Sequence, residues 1–270
     1  MFIIDAHTHI YPEKIAHKAS AAIGEFYGVA MKHDGTVGSL LNSGKKSGVN
    51  MHVVHSVATN PAQVESINNF IARTVSEYPD KFIGFATLHP DMEGAGREVD
   101  RVIGLGLRGV KLHPDFQKFN IDDPACDKLY RAIEGRLPLL FHTGDSRHDY
   151  SSPRRVPAVL EKFERLDIIC AHFGGYTEWD NAVNNLSGRR VWVDTSSSLS
   201  FIGKKKALKF IEFFGEDRVL FGSDYPMWDA GDEIEMINEM GLNERQLEKI
   251  YYKNICGLLG LHIGNVNDHV

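Results

Sequence analysis

Cysteine is scarce in this chain of 270 residues. Its three cysteines, Cys126, Cys170 and Cys256, lie far apart and form no Cys-x-x-Cys pair. A disulfide framework requires an even set of cysteines in a small secreted chain, and a thiolate zinc site requires paired ones. The sequence predicts neither, and we expect reduced thiols that are mostly structural.

The chain also lacks long apolar runs and an excess of basic charge. No stretch reaches the roughly 18 apolar residues of a membrane-spanning helix, and the first residues show no secretory leader. We therefore expect a cytoplasmic protein without a membrane segment. The formal net charge of −6 predicts no surface for nucleic acid, and the basic run 204–206 is interpreted as a solvated helix face.

What the chain does contain is a regular alternation of short apolar segments and amphipathic segments. The composition, 43% apolar and 24% charged, is typical of a soluble globular protein. The predicted strands are residues 2–9, 51–58, 81–88, 107–112, 137–142, 167–172, 190–195 and 218–222. The predicted helices are residues 12–26, 37–46, 61–77, 94–103, 122–135, 156–165, 177–186, 204–214, 233–240 and 244–259.

Eight strands that alternate with helices predict a parallel sheet, which right-handed crossovers can close into a (β/α)₈ barrel. An open doubly wound sheet is the alternative. That fold often carries a glycine-rich phosphate loop after its first strand, where this chain has His-Thr-His. No linker divides the sequence, so we expect a single domain over residues 1–270, with a small helical insertion at about 27–50.

The first strand ends in a His-x-His pair that can bind metal. Side chains alternate across a strand, so Asp5, His7 and His9 are expected on the same face. Two neighbouring imidazoles can hold one divalent ion. Asp5 is expected to orient one of these imidazoles through a hydrogen bond. Taken alone, the pair is explained equally well as a polar strand end, so further ligands must come from elsewhere in the chain.

Ionisable residues also end four of the later strands. Lys111 lies near the end of the fourth strand, His142 ends the fifth, His172 ends the sixth, and Asp224 follows the eighth. The carboxyl ends of all strands in a barrel meet on one face, where active sites of this fold lie. The sequence therefore predicts that these side chains converge with His7 and His9.

At these residues the chain resembles the amidohydrolase superfamily, in particular the branch of metal-dependent hydrolases and decarboxylases that includes aminocarboxymuconate-semialdehyde decarboxylase. The matching residues, in the family's order, are His7-Thr8-His9, Lys111, His142, His172 and Gly222-Ser223-Asp224-Tyr225-Pro226. The resemblance implies a distorted (β/α)₈ barrel that binds zinc or a similar divalent ion. It also implies homo-oligomers, as a family-level expectation.

Residue by residue, the resemblance implies that the metal ligands are His7, His9, His142 and Asp224. His172 matches the histidine that binds or polarises the substrate, or joins a second metal. Three imidazoles and a carboxylate suit Zn²⁺, with Mn²⁺ or Fe²⁺ as alternatives, and can lower the pKa of a bound water to about 7. Asp224 would accept a proton and deliver it later.

Lys111 has two interpretations within the family. It either contacts a substrate carboxylate or a site acid, which we favour, or it is carbamylated and bridges two metals; a buried lysine shifts its pKa readily. We accordingly favour one ion over two.

Arg147, in the loop after the fifth strand, is a candidate clamp for an anionic substrate, and Trp228 is a candidate pocket wall. His55, His89 and His113 are interpreted as satisfied polar groups rather than ligands.

Three functions fit the predicted site. The leading hypothesis is hydrolysis of an amide, ester or lactone bond in a small molecule by a metal-activated water. The second is non-oxidative decarboxylation of a small aromatic or unsaturated acid. A non-enzymatic metal-binding barrel is the third and the least favoured, because such a protein has no need of a proton shuttle.

Overall fold

The computed structural model describes residues 1–262 and shows one (β/α)₈ barrel, as the alternation of segments predicts. Eight parallel strands follow one another in chain order around a single sheet. The strands are β1 Ile4–His9, β2 Met51–His55, β3 Phe82–Thr87, β4 Gly109–Leu112, β5 Leu139–Phe141, β6 Ile168–Cys170, β7 Val191–Asp194 and β8 Val219–Leu220.

Backbone hydrogen bonds between β1 and the segment after β8 bring the two ends of the sheet together. The Ala6 amide donates to the Phe221 carbonyl at 2.8 Å, and the Asp224 amide donates to the His7 carbonyl at 2.9 Å. Closure therefore places the residues that follow β8 directly beside the His-x-His pair of β1.

Helices surround the strands. They are α1 Glu13–Tyr27, α2 Val37–Ser47, α3 Val64–Glu77, α4 Ala95–Gly104, α5 Pro114–Gln117, α6 Asp127–Ile133, α7 Val156–Lys162, α8 Trp179–Leu186, α9 Leu199–Phe214, α10 Ala230–Asn238, α11 Glu244–Glu248 and α12 Asn254–Leu259. The segment between α1 and β2 holds α2, which Thr36 caps by accepting a hydrogen bond from the Ser39 amide at 3.2 Å. Within residues 1–262, no helix has the length and apolar character needed to cross a bilayer.

Several strands end earlier than the sequence predicts, and the candidate site residues lie just beyond them. β5 ends at Phe141 and β6 at Cys170, so His142 and His172 belong to the loops that follow. The backbone φ angles of His172 and Asp224 are both 62°, in the left-handed region that residues other than glycine rarely adopt. Such strain is typical of functional sites, where the surrounding structure holds it in place.

The interior of the barrel is packed tightly enough that one extra methyl group should lower the stability of the fold. A Cβ atom added at Gly109 in β4 would lie 2.5 Å from a carbon of the Phe85 ring. We expect Gly109→Ala to lower the free energy of unfolding by about 1–3 kcal/mol, measured by urea denaturation. The matched control is Gly96→Ala in α4, where an added Cβ meets nothing within 4 Å. Equal effects of the two substitutions would contradict the tight packing around Phe85.

Candidate metal centre

Three side chains with metal-binding atoms meet at the carboxyl end of the barrel. His7 Nε2 lies 3.3 Å from His9 Nε2, and Asp224 Oδ1 lies 3.4 Å from each of these nitrogens. Neighbouring ligands about 2.1 Å from one ion, at angles of about 90–110°, are about 3.0–3.4 Å apart. The three donor atoms are therefore spaced as neighbouring ligands of a single ion, and this part of the predicted set does converge.

Asp194, at the end of β7, fixes the orientation of the His7 ring. Burial lowers the pKa of His7 to about 4, so the imidazole is neutral and carries one N–H. Burial raises the pKa of Asp194, but the contact with His7 outweighs it and holds that pKa at about 2. His7 Nδ1 therefore donates to Asp194 Oδ2 at 2.9 Å. The lone pair of Nε2 is left facing His9 and Asp224, the arrangement typical of metal-binding histidines.

Lys111 lies next to the same nitrogen of His7. Its side chain is completely buried, and Nζ lies 3.1 Å from His7 Nε2. Burial disfavours the charged amine and lowers the pKa of Lys111 to about 8. A substrate carboxylate that reached the donor cluster would therefore meet a lysine beside it.

Ser197 and Trp228 hold the Asp224 carboxylate in place. Ser197 donates to Asp224 Oδ2 at 2.5 Å, and the Trp228 indole donates to Ser197 Oγ at 2.8 Å. Burial raises the pKa of Asp224, but the nearby imidazoles of His7 and His9 hold it well below its usual value. Asp224 is therefore ionised, and the structure places Trp228 behind it as part of its support.

His142 and His172 form a hydrogen-bonded pair on the opposite side of the site. The Gly144 carbonyl can only accept, so His142 Nε2 donates to it at 2.9 Å, and Nδ1 then accepts from His172 Nε2 at 2.9 Å. Tyr27 Oη lies 3.4 Å from His142 Nε2, and Ser196 Oγ lies 2.9 Å from His172 Nδ1. His142 lines the same cavity as His7 and His9, but its two ring nitrogens are engaged by protein groups.

Arg147 is engaged with neighbouring protein groups. Its Nε and Nη2 atoms donate to the two oxygens of Asp145 at 2.9 and 2.7 Å, and Nη1 donates to the Phe26 carbonyl at 2.6 Å. The guanidinium carbon lies 4.6 Å from the centre of the Phe26 ring. Arg147 therefore ties the loop after β5 to the last turn of α1.

Asp194, and not Asp5, makes the hydrogen bond that orients an imidazole of the His-x-His pair. Asp194 was not among the residues predicted from the sequence. Asp5 accepts hydrogen bonds from the amides of His7 and Ser223 and from Ser223 Oγ, and within residues 1–262 it has no hydrogen bond to an imidazole nitrogen. The register of β1 against β2 shifts between Asp5 and Thr8, so strict alternation fails at this point. Asp194 carried the same signal as the other candidates, an ionisable residue at the end of a strand.

His113 and His55 have different surroundings, although both were interpreted as satisfied polar groups. His113 stacks on Phe116 with ring centres 3.8 Å apart, and its Nε2 lies 3.0 Å from Tyr27 Oη. His55 is completely buried, and neither ring nitrogen has a hydrogen-bond partner among the described residues. His113 is therefore a satisfied polar group as predicted, whereas His55 is not satisfied.

Two cavities adjoin the donor cluster. The inner one has a free volume of about 20 Å³ and is covered by Ile23 and Tyr27 of α1. This volume is sufficient for about one water molecule. The outer cavity, of about 350 Å³, shares His9, Ile23 and Phe116 with the inner one and is lined mainly by apolar side chains. Its volume lies in the range of small-molecule sites, about 300–1,000 Å³.

Comparison with known proteins places the chain in an enzyme family. A family model described as amidohydrolase matches residues 4–261. The chain is 29% identical over 243 residues to 2-amino-3-carboxymuconate-6-semialdehyde decarboxylase of Dictyostelium discoideum, covering 72% of the chain and 66% of the relative. It therefore spans just under two thirds of that relative's length. Decarboxylase orsB of Emericella nidulans is 24% identical over 242 residues, covering 68% of the chain and 72% of the relative.

A solved structure supports the same fold. Dihydroxybenzoic acid decarboxylase of Polaromonas, solved with bound manganese and the inhibitor 2-nitroresorcinol, superposes with a TM-score of 0.74 and 16% identity, covering 97% of this chain and 98% of the other. The two curated relatives are decarboxylases. The leading prediction of a hydrolase is therefore wrong, since the predicted metal ligands and polar strand ends that motivated it are equally compatible with decarboxylation.

Proposed function

The chain belongs to the amidohydrolase family. Within this family, we propose that it is a metal-dependent, non-oxidative decarboxylase of a small aromatic or unsaturated carboxylic acid. The observation that carries the proposal is the buried cluster of His7, His9 and Asp224 with the Lys111 amine beside it. An ion and a lysine at adjacent positions suit a substrate that carries a carboxylate and a second oxygen or nitrogen donor.

The donor set fits one divalent ion of the first transition series. His7 Nε2, His9 Nε2 and Asp224 Oδ1 are spaced as neighbouring ligands, and Asp194 fixes the required tautomer of His7. His142, on the same cavity, would complete the proposed ligand set with Nδ1, once the hydrogen bond from His172 to that nitrogen is given up. Imidazole and carboxylate donors accept both Zn²⁺ and Mn²⁺. The bound ion would act as a Lewis acid that holds substrate oxygens and offsets their negative charge.

The protein side chains would carry the proton and orient the acid. In the proposed reaction the bond from carbon to the carboxylate breaks, CO₂ leaves with no change of oxidation state of a cofactor, and the electron pair left on carbon takes up a proton. Ionised Asp224 can accept a proton from the bound substrate and return it to that carbon. His172 Nε2, released from His142 when that histidine binds the ion, would donate to a substrate oxygen, and Lys111 would pair with the departing carboxylate.

Aromatic rings around the cavities favour a flat, unsaturated substrate. The rings of Phe116, His113 and His142 are stacked, with 3.8 Å between the first two centres and 4.0 Å between the second two. Phe26 and Tyr27 complete this wall from α1, since the Phe26 ring lies 4.9 Å from that of Phe116. Offset or edge contacts with such rings stabilise a planar ligand by about 0.5–1.5 kcal/mol each.

A substrate panel tests the proposed reaction. The protein loaded with Mn²⁺ or Zn²⁺ is incubated with hydroxybenzoates, amino-substituted unsaturated acids and, for comparison, lactones and amides. We expect CO₂ from at least one aromatic or unsaturated acid, together with the product that lacks one carboxylate. Acid release from a lactone or amide, with no CO₂ from any acid of the panel, would contradict the proposal.

A further inference from the structure

His55 is a buried histidine whose ring nitrogens have no hydrogen-bond partner in the described part of the chain. It is the last residue of β2, its exposed fraction is 0%, and neither Nδ1 nor Nε2 has a hydrogen-bond partner within residues 1–262. Buried polar groups are almost always paired, and an unpaired one calls for a physical explanation. Edge-to-face contact with a neighbouring ring is a weak interaction and leaves the lone pair of the imidazole unused.

His55 lies beside the two histidines that are proposed to hold the ion. In the parallel pairing of β1 and β2, His55 lies directly opposite His9. Its ring centre is 4.4 Å from that of His9 and 5.1 Å from that of His7. One ring nitrogen from each of these three histidines falls in a group whose members all lie within 4.8 Å of one another. Two ligands on opposite sides of one ion are about 4.2 Å apart, so the group needs only small adjustments.

The chemical state of His55 suits a cation. Neither ring nitrogen of His55 has a hydrogen-bond partner among residues 1–262, so no hydrogen-bonded carboxylate favours the charged ring and a nitrogen remains for a ligand. An anion would find no charge on this ring to bind, whereas a divalent transition-metal ion accepts neutral imidazole as a ligand. His52, on the same strand, differs because its ring packs against the backbone of Gly44 in α2, away from His9.

We propose that His55 is an additional ligand of the ion held by His7, His9 and Asp224. This inference rests on the proposed function only in requiring that the chain binds an ion. Together with His142, the ion would then be held by five protein side chains.

Replacement of His55 by Phe tests this assignment. Phe keeps an aromatic ring of similar size and removes both nitrogens. Metal-free protein is titrated calorimetrically with Mn²⁺, and Co²⁺ absorption spectra report the ligand set. We expect His55→Phe to raise the Kd for Mn²⁺ by more than about 100-fold, the upper range for groups that only support a ligand. The metal-free variant should unfold at a higher temperature than wild type, because two unpaired buried nitrogens are gone.

His52→Phe is the matched control, a buried histidine of the same strand, and it should leave the Kd and the Co²⁺ spectrum unchanged. An unchanged Kd and spectrum for His55→Phe would overturn the assignment, as would a wild-type protein that binds none of Mn²⁺, Co²⁺ and Zn²⁺. If wild type binds the ion, His55→Phe loses it, and no acid of the panel yields CO₂, the role of His55 stands and the proposed reaction fails.

Discussion

Asp224→Asn is expected to lower kcat/KM for CO₂ release by at least about 1,000-fold, within the range by which positioned acids and bases accelerate reactions. The substitution keeps the shape of the side chain and can still accept the hydrogen bond from Ser197. It removes the negative charge that lies 3.4 Å from the nitrogens of both His7 and His9, and with it the group proposed to carry the proton. Rates are measured with saturating metal, so that weaker ion binding is not the cause of the loss.

Asp229→Asn provides the matched control for this experiment. Asp229 lies five residues further along the same loop and caps α10, where its side chain accepts a hydrogen bond from the Gly231 amide at 2.8 Å. Asparagine can accept the same hydrogen bond, so CO₂ release should stay close to that of wild type. A rate for Asp224→Asn that matches the rate of this control would contradict the role of Asp224.

Asp194→Asn should have the second large effect, through the tautomer of His7. The new amide can keep accepting from the His172 and Ser196 amides through its oxygen, so the fold should be retained. Its NH₂ group would then face His7 Nδ1, which would have to accept and carry its proton on Nε2 instead. Nε2 would no longer offer a lone pair to the ion. We expect the Kd for Mn²⁺ to rise about 10- to 100-fold.

Nitrogen NMR of the histidine side chains checks the tautomer directly. In wild-type metal-free protein, His7 should carry its proton on Nδ1, and in Asp194→Asn on Nε2. Asp5→Asn is the matched control, because Asp5 is also a fully buried carboxylate on the barrel but its hydrogen bonds run to His7 backbone and to Ser223. Retention of the Nδ1 proton together with an unchanged Kd in Asp194→Asn would contradict the orienting role of Asp194.

The barrel was predictable because its determinants are local. Short apolar segments and amphipathic segments alternate along the whole chain, and each strand with its helix can be recognised without knowledge of the others. The meeting of His7, His9 and Asp224 followed from the same alternation, since the carboxyl ends of barrel strands share one face. The structure brings these donor atoms within 3.4 Å of one another.

What the sequence could not specify depends on register and on side-chain partners. A shift in the pairing of β1 removes Asp5 from the imidazoles, and no period-two pattern reveals such a shift. Asp145 lies only two residues before Arg147 and pairs with it, which is a local contact that competes with any anionic substrate. Among residues 1–262, His55 has no hydrogen-bond partner, and this depends on the positions of all neighbouring side chains, which the sequence does not specify.

The most direct test of the proposed metal-dependent decarboxylation is the fate of a substrate carboxylate labelled with ¹³C. An acid that the substrate panel identifies is prepared with the label in its carboxylate and incubated with metal-free protein and with the same protein after addition of Mn²⁺ or Zn²⁺. We expect labelled CO₂ in the metal-loaded sample and almost none in the metal-free one. Equal release by both samples, or a label that stays in the organic product, would contradict the proposal.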